Sequence, residues 1–240
     1  MSRLLLISSS NVHGFNYLDH AEGELRDFLS GVERVLFVPF ALADHQGYAA
    51  RVRERLAGLG LAVDSLHATR DPVGAIGDAE ALFIGGGNTF RLLTAMCRLG
   101  LMTVVGMRVA EGMPYVGSSA GTNLATRSIE TTNDMPIVYP PTFAALGLVP
   151  FNINPHYLDA DPHSTHKGET RETRIREFHE EHEAPVVGLR EPAMLRREGE
   201  ALTLRGTGGA RLFRRGAAAE ELATGADLSE LLRWRPAESE

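Results

Sequence analysis

The pentapeptide Gly117-Ser118-Ser119-Ala120-Gly121 is the strongest chemical signal in the sequence. It follows the apolar stretch Pro114-Tyr115-Val116 and precedes Thr122-Asn123-Leu124-Ala125, a helix start. Gly-x-Ser-x-Gly between a strand and a helix is the nucleophile elbow: the glycines permit a turn that a Cβ would obstruct, and the central hydroxyl is left exposed. Placed at a helix N-terminus, Ser119 would meet free backbone N–H groups and a dipole that both favour developing negative charge. The chemistry this predicts is nucleophilic attack by a serine.

Such a serine needs a base. Among nine histidines, His156 stands out, because Asn154-Pro155-His156-Tyr157 closes the apolar stretch Leu148 to Ile153 and so sits at a strand end, where an α/β sheet keeps its ligands. A carboxylate should orient the imidazole and stabilise its cation. Glu191, just past Val186–Leu189, is placed for this, while Asp159, Asp161 and Glu169 are nearer His156 in sequence and stay open by position alone. The order serine, histidine, glutamate differs from that of α/β-hydrolases, so the elbow does not imply that fold. Oxyanion donors are expected from Gly85-Gly86-Gly87-Asn88-Thr89-Phe90, with Gly87 or Asn88 joined by the Ala120 amide. This glycine run lacks the Lys-Ser/Thr of a phosphate loop, and Phe90 breaks a dinucleotide fingerprint. The pairs His163/His166 and His179/His182 are each three apart, but no third ligand is spaced to match, so they read as solvated faces rather than a metal site. Cys97 lies inside a helix-like run and reads as a small buried hydrophobe.

Placing these residues requires a scaffold. Leu4–Ile7, Val35–Val38, Leu61–Val63, Ala81–Ile84 and Tyr115-Val116 are short apolar runs without alternation, as expected of strands covered on both faces. Between them lie segments with helical spacing, Leu18 to Leu29 and Val52 to Leu59. This alternation predicts a doubly wound α/β sheet with ligands at the carboxyl ends of its strands. Five prolines between residues 126 and 155 predict an ordered, irregular crossing, placed to cover the site over 126–143. A charged helix is expected over Glu169 to Glu183. It is followed by short strands at Val186–Leu189, Met194-Leu195, Leu202–Leu204 and Ala210–Phe213 that extend the sheet in antiparallel fashion. One α/β domain over residues 1–235 and a frayed tail at 236–240 are expected.

Composition narrows the classes. The chain has 240 residues, 24 Lys+Arg against 31 Asp+Glu, a formal charge of −7 and 43% hydrophobic residues. The negative charge argues against a protein whose main task is gripping nucleic-acid phosphates. No apolar run approaches the ~20 residues of a membrane span, and Leu4 to Ile7 is too short for a signal sequence. One cysteine excludes an internal disulfide and a cysteine-based zinc cluster. A soluble cytoplasmic protein is the expectation, as monomer or homodimer.

The chain resembles the aspartyl dipeptidase (dipeptidase E) family of serine peptidases, whose fold is related to class I glutamine amidotransferases. The resemblance rests on Phe83–Phe90, Gly117–Gly121, Thr131-Thr132-Asn133-Asp134-Met135-Pro136, Ile153–Tyr157, Gly168–Glu172 and Gly188–Glu191, which cover most of the chain in order. It implies a three-layer, doubly wound, mostly parallel sheet of the amidotransferase type with an antiparallel C-terminal extension. It implies a triad of Ser119, His156 and Glu191, hydrolysis of Asp-X dipeptides without metal or organic cofactor, and Arg171 as the holder of the substrate's aspartyl carboxylate. A guanidinium suits that task, since it binds a carboxylate through two parallel N–H···O bonds. The sequence departs from the family at Pro192, where glycine is common; proline fixes φ and removes a donor. Two other readings share the motifs. One is a cyanophycinase-like peptidase releasing β-linked Asp-Arg, and the other is a non-catalytic amidotransferase-like binding module.

Overall fold

A computed structural model describes residues 1–161, 163, 165 and 168–236. His166 of the first histidine pair, and residues 237–240 of the expected tail, lie outside the described residues. The strands are β1 (Arg3–Ile7), β2 (Arg34–Val38), β3 (Ala62–Ser65), β4 (Ala81–Ile84), β5 (Tyr115–Ser118), β6 (Asn152–Pro155), β7 (Val186–Leu189), β8 (Met194–Glu198), β9 (Ala201–Arg205), β10 (Ala210–Phe213) and β11 (Glu220–Leu222). The helices are α1 (Glu22–Phe28), α2 (His45–Ala57), α3 (Pro72–Gly77), α4 (Thr89–Arg98), α5 (Leu101–Glu111), α6 (Ala120–Leu124) and α7 (Arg171–Glu181).

The main sheet runs in the order β3-β2-β4-β5-β1-β8-β9. Its first five strands are parallel, and β8 and β9 add an antiparallel edge. The apolar runs are unbroken because both faces are covered. Alternate residues serve opposite layers: Leu4, Leu6, Leu82 and Ile84 pack with Leu92 and Met96 of α4 and with Val105 of α5. Leu5, Ile7, Phe37 and Phe83 pack on the other side with Phe28 of α1 and Val52 of α2. Three layers therefore follow from a strand period of two meeting helices on both sides.

The C-terminal strands divide between two sheets. The strands β8 and β9 extend the main sheet as expected, but β7 and β10 do not. They build a second sheet in the order β11-β10-β7-β6, in which β6 and β7 are parallel and β10 runs antiparallel to β7. Its inward residues Ile153, Val187, Leu189 and Leu212 belong to the same buried cluster as Leu4 and Ile84, so one apolar core bridges the two sheets. The Pro-rich region leaves α6, returns at Leu146–Val149 onto the carbonyls of Leu124 and Ala125, and closes on itself through a bridge between Ser128 and Ala144. Among the described residues, no single helix is long and apolar enough to cross a membrane.

The histidine pair at the end of α7 departs from the solvated reading. His179 is buried, and its Nε2 bonds the Ala184 carbonyl at 3.0 Å, so one residue of the pair faces the core. Burial lowers its pKa. His182 stacks on Phe178 and lies 3.4 Å from Glu130. The mean hydropathy of a helix this charged conceals which single polar side chain has found a buried carbonyl.

Candidate active site

The carboxyl ends of β1, β4, β5, β6 and β7 converge, and each delivers one part of a cleft. The strand β5 ends in the elbow. Ser119 is held at φ +52°, an uncommon backbone state for a residue with a Cβ. Three contacts hold that turn: Ser119 N–H donates to the Ile7 carbonyl at 3.0 Å, and Thr122 Oγ1 donates to the Ile7 and Gly117 carbonyls at 2.7 and 3.0 Å. Only glycine fits at position 121, since a Cβ there would lie 2.2 Å from the Ile84 carbonyl oxygen. The short helix α6 starts directly after Ser119, so the Ala120 N–H is among the amides that have no partner within the helix.

His156 stands at the end of β6, also in a left-handed conformation, with φ +55°. Its Nε2 lies 2.8 Å from Ser119 Oγ, and its Nδ1 is hydrogen-bonded to Glu191 Oε1. Glu191 follows β7 and precedes a cis peptide bond to Pro192. The three other carboxylates left open by sequence are occupied elsewhere. Asp159 pairs with Arg190, Asp161 accepts the His163 amide at 2.8 Å, and Glu169 pairs with Arg174 at 3.2 Å. Ser119, His156 and Glu191 thus form one hydrogen-bonded chain drawn from three strand ends.

The glycine loop after β4 runs alongside. A Cβ on Gly86 would lie 3.1 Å from the Ser119 Cβ, which measures how closely this backbone approaches the hydroxyl. Asn88 is not a free oxyanion donor, contrary to expectation. Its N–H donates to the Ala41 carbonyl at 2.8 Å, its Oδ1 caps α4 by accepting from Arg91 N–H, and its Nδ2 donates to the Met135 carbonyl. Gly87 N–H has no acceptor among the described residues, so of the expected donors Gly87 and Ala120 remain unengaged.

Three contributors were not legible as site residues. Ser8, buried at the end of β1, accepts the His156 N–H at 2.9 Å and donates to the Leu189 carbonyl at 2.7 Å. Asp134, from the Pro-rich region, accepts from Thr89 N–H at 2.7 Å and Thr89 Oγ1 at 2.6 Å, so that region is tied to the start of α4. Tyr48 of α2 wedges its hydroxyl against Gly85, where a Cβ would be 2.5 Å away. For Ser8 the available signal was position, since Ser8-Ser9-Ser10 directly follows a strand, where an open α/β sheet gathers ligand groups. Asp134 lies in one of the family motifs, though no role was read for it.

These parts enclose a cavity of about 330 Å³ beside Ser119 and His156, walled by Ser9, Tyr17, Tyr48, Arg51, Gly87 and Asp134. It is at the small end of ligand pockets. Burial, with Tyr48 adjacent, holds the Tyr17 phenol well above its ordinary pKa, and burial likewise raises Tyr48. Both hydroxyls are therefore neutral donors. Arg171 opens α7 and does not line this cavity. Burial and the neighbouring Arg174 lower its pKa, and it has no carboxylate partner among the described residues. Among those residues no group of three His, Cys, Asp or Glu is placed to hold a metal ion.

A serine whose hydroxyl meets a carboxylate-bound imidazole, with two unengaged amides beside it, is arranged for acyl transfer. Residues 4–205 match the model of peptidase family S51. The chain belongs to that family. Peptidase E of Streptomyces coelicolor is 58% identical over 232 residues, covering 97% of this chain and 96% of that protein. A probable alpha-aspartyl dipeptidase of Drosophila melanogaster is 53% identical over 233 residues, covering 96% and 97%. Among solved structures, a putative peptidase E protein from Listeria monocytogenes superposes with a TM-score of 0.66 at 24% identity, covering 86% of this chain and 98% of that one. A peptidase from an acI-B1 actinobacterium gives 0.69 at 15% identity, covering 95% and 96%. At those identities the two structures speak for the S51 fold alone.

Proposed function

We propose that this S51 chain is a serine dipeptidase that hydrolyses Asp-X dipeptides. The observation that carries the reading is the chain of contacts from Ser119 Oγ to His156 Nε2 at 2.8 Å, and from His156 Nδ1 to Glu191, on a positive-φ elbow. The name of the Drosophila relative supports the substrate class, and that of the Streptomyces relative supports a peptidase.

In this reading His156 removes the Ser119 proton as Oγ attacks the aspartyl carbonyl carbon. Glu191 fixes the tautomer that leaves Nε2 free to accept, and it stabilises the imidazolium. The carbonyl oxygen becomes an oxyanion between the Gly87 and Ala120 amides, each such donor contributing about 3 kcal/mol in the transition state. Collapse breaks the C–N bond, and the His156 proton passes to the leaving amine. Water then attacks the aspartyl-enzyme with His156 again as base, releasing aspartate and restoring the Ser119 hydroxyl.

Charge supplies the selectivity. Asp134 on the cavity wall presents a carboxylate to the substrate's α-ammonium. Arg171, at the start of α7 and without a carboxylate partner among the described residues, offers its guanidinium to the aspartyl side chain, the role that the family resemblance implies. The test compares wild type with Ser119→Ala on Asp-Leu, Asn-Leu, Glu-Leu and β-Asp-Arg. Turnover of Asp-Leu that falls by at least about 10⁴-fold in the folded mutant is expected. Full activity in the mutant overturns the serine's role, and preference for β-Asp-Arg favours the cyanophycinase-like reading instead.

A further inference from the structure

Among the described residues, Arg51 is the one arginine lining the cavity that holds Ser119 and His156. It projects from α2, is exposed, and forms no hydrogen bond or ion pair among the described residues. Its guanidinium lies over the Tyr17 ring, 6.0 Å from the centroid, an arrangement that holds the cation by its face. The edge of the guanidinium, with its N–H donors, stays available to a planar anion. Most other arginines near the cleft are already matched. Arg190 is held by Asp159 and Glu221, Arg211 by Glu172, and Arg55 by Glu22 and Asp19.

We infer that Arg51 binds the C-terminal carboxylate of the dipeptide and so selects for substrates that end one residue after the scissile bond. The inference rests on the dipeptidase reading above and adds a second anion subsite to it. An Asp-X dipeptide carries two carboxylates. With Arg171 taking the aspartyl one, the other belongs to the leaving residue, three bonds beyond the scissile carbon and on the order of 4 Å away. A group that shares a cavity of about 330 Å³ with Ser119 is placed to meet it. The rim position fits as well. A cation at the mouth grips the end of the substrate while the second side chain points outward, whereas a longer peptide puts a neutral amide where Arg51 needs an anion. Ser9, Ser10 and Asn11 line the same cavity and give this end of it a polar wall.

The test uses Asp-Leu and its C-terminal amide, which differ only in that charge. Wild type is expected to favour the acid in kcat/KM by at least tenfold. In Arg51→Gln the acid-to-amide ratio falls by at least tenfold, chiefly through a higher KM for the acid. Arg51→Lys, which keeps the charge but not the planar fork, falls between the two. A ratio unchanged in Arg51→Gln overturns the inference, as does a wild type that cleaves acid and amide equally well; both leave the dipeptidase reading intact. A wild type that cleaves neither, with or without Ser119, removes that reading and the Arg51 subsite together.

Discussion

Ser8 accepts the backbone N–H of His156 at 2.9 Å, and its own proton goes to the Leu189 carbonyl at 2.7 Å. One buried hydroxyl therefore joins the ends of β1, β6 and β7. It fixes the imidazole's backbone relative to Glu191, two residues past Leu189. It also supports an unusual conformation, since the amide it satisfies belongs to a residue at φ +55°. Left-handed backbone at a non-glycine residue persists only where the surroundings over-determine it.

Replacing Ser8 by alanine leaves the His156 N–H and Leu189 carbonyl without that partner, at about 1–3 kcal/mol of stability. Activity should fall further than stability alone accounts for. With His156 free to shift, kcat on Asp-Leu is expected to drop by roughly 10²-fold, the scale associated with a misplacement of about 1 Å. KM should change little, because Ser8 itself does not line the substrate cavity. Steady-state kinetics on protein shown to be folded by circular dichroism distinguishes this from a simple loss of fold. Unchanged kcat would remove Ser8 from the positioning role.

Glu191 gives a second test, of charge rather than placement. Glu191→Gln keeps shape and hydrogen-bonding reach but removes the negative charge that stabilises an imidazolium. It also allows the amide to donate to Nδ1 and so select the wrong tautomer. A fall in kcat of about 10³–10⁴ with modest change in KM is expected. Asp159→Asn and Glu169→Gln, which alter carboxylates that contact arginines instead of His156, should not reproduce it. A small effect at Glu191 would mean that its hydrogen bond to His156 is structural only.

The same residues mark what the sequence could and could not reveal. The strands β1, β2, β4 and β7 are continuous apolar runs cut off by Ser, Pro, Gly and Arg, so their bounds are local properties and were readable. The Gly-x-Ser-x-Gly turn is equally local, which is why Ser119 could be singled out from five residues. Partner choice is not local. Nothing within Val186–Leu189 says that it pairs with β6 and β10 rather than with the main sheet, because apolar strands fit either place. Ser8 lies 148 positions from His156, and its role exists only once two sheets meet. Asn88 failed as an expected donor for the same reason: its amide is taken by Ala41, a contact no spacing rule contains.

Asp159 couples the site to acid stability. Arg190, the residue before Glu191, grips Asp159 through Nε at 2.7 Å and Nη2 at 3.0 Å, and it also pairs with Glu221. This ties the loop after His156 to the loop that carries Glu191. The Arg190 hydrogen bonds hold the Asp159 carboxyl below its usual pKa. A depressed folded-state pKa contributes stability that is present above the unfolded value of about 3.9 and is lost as pH falls through the lower folded value. With 49% of the Asp159 side chain exposed, the contribution is discounted to about 1 kcal/mol. Asp159→Asn should therefore lower the melting temperature by about 2–4 °C between pH 5 and 7. Below about pH 4 the difference should shrink toward zero, because wild type then carries a protonated Asp159 of its own. Thermal melts of the two proteins across that range supply the measurement. A gap that stays constant down to pH 2 would show that Asp159 acts through shape, and the coupling between the two loops would not be ionic.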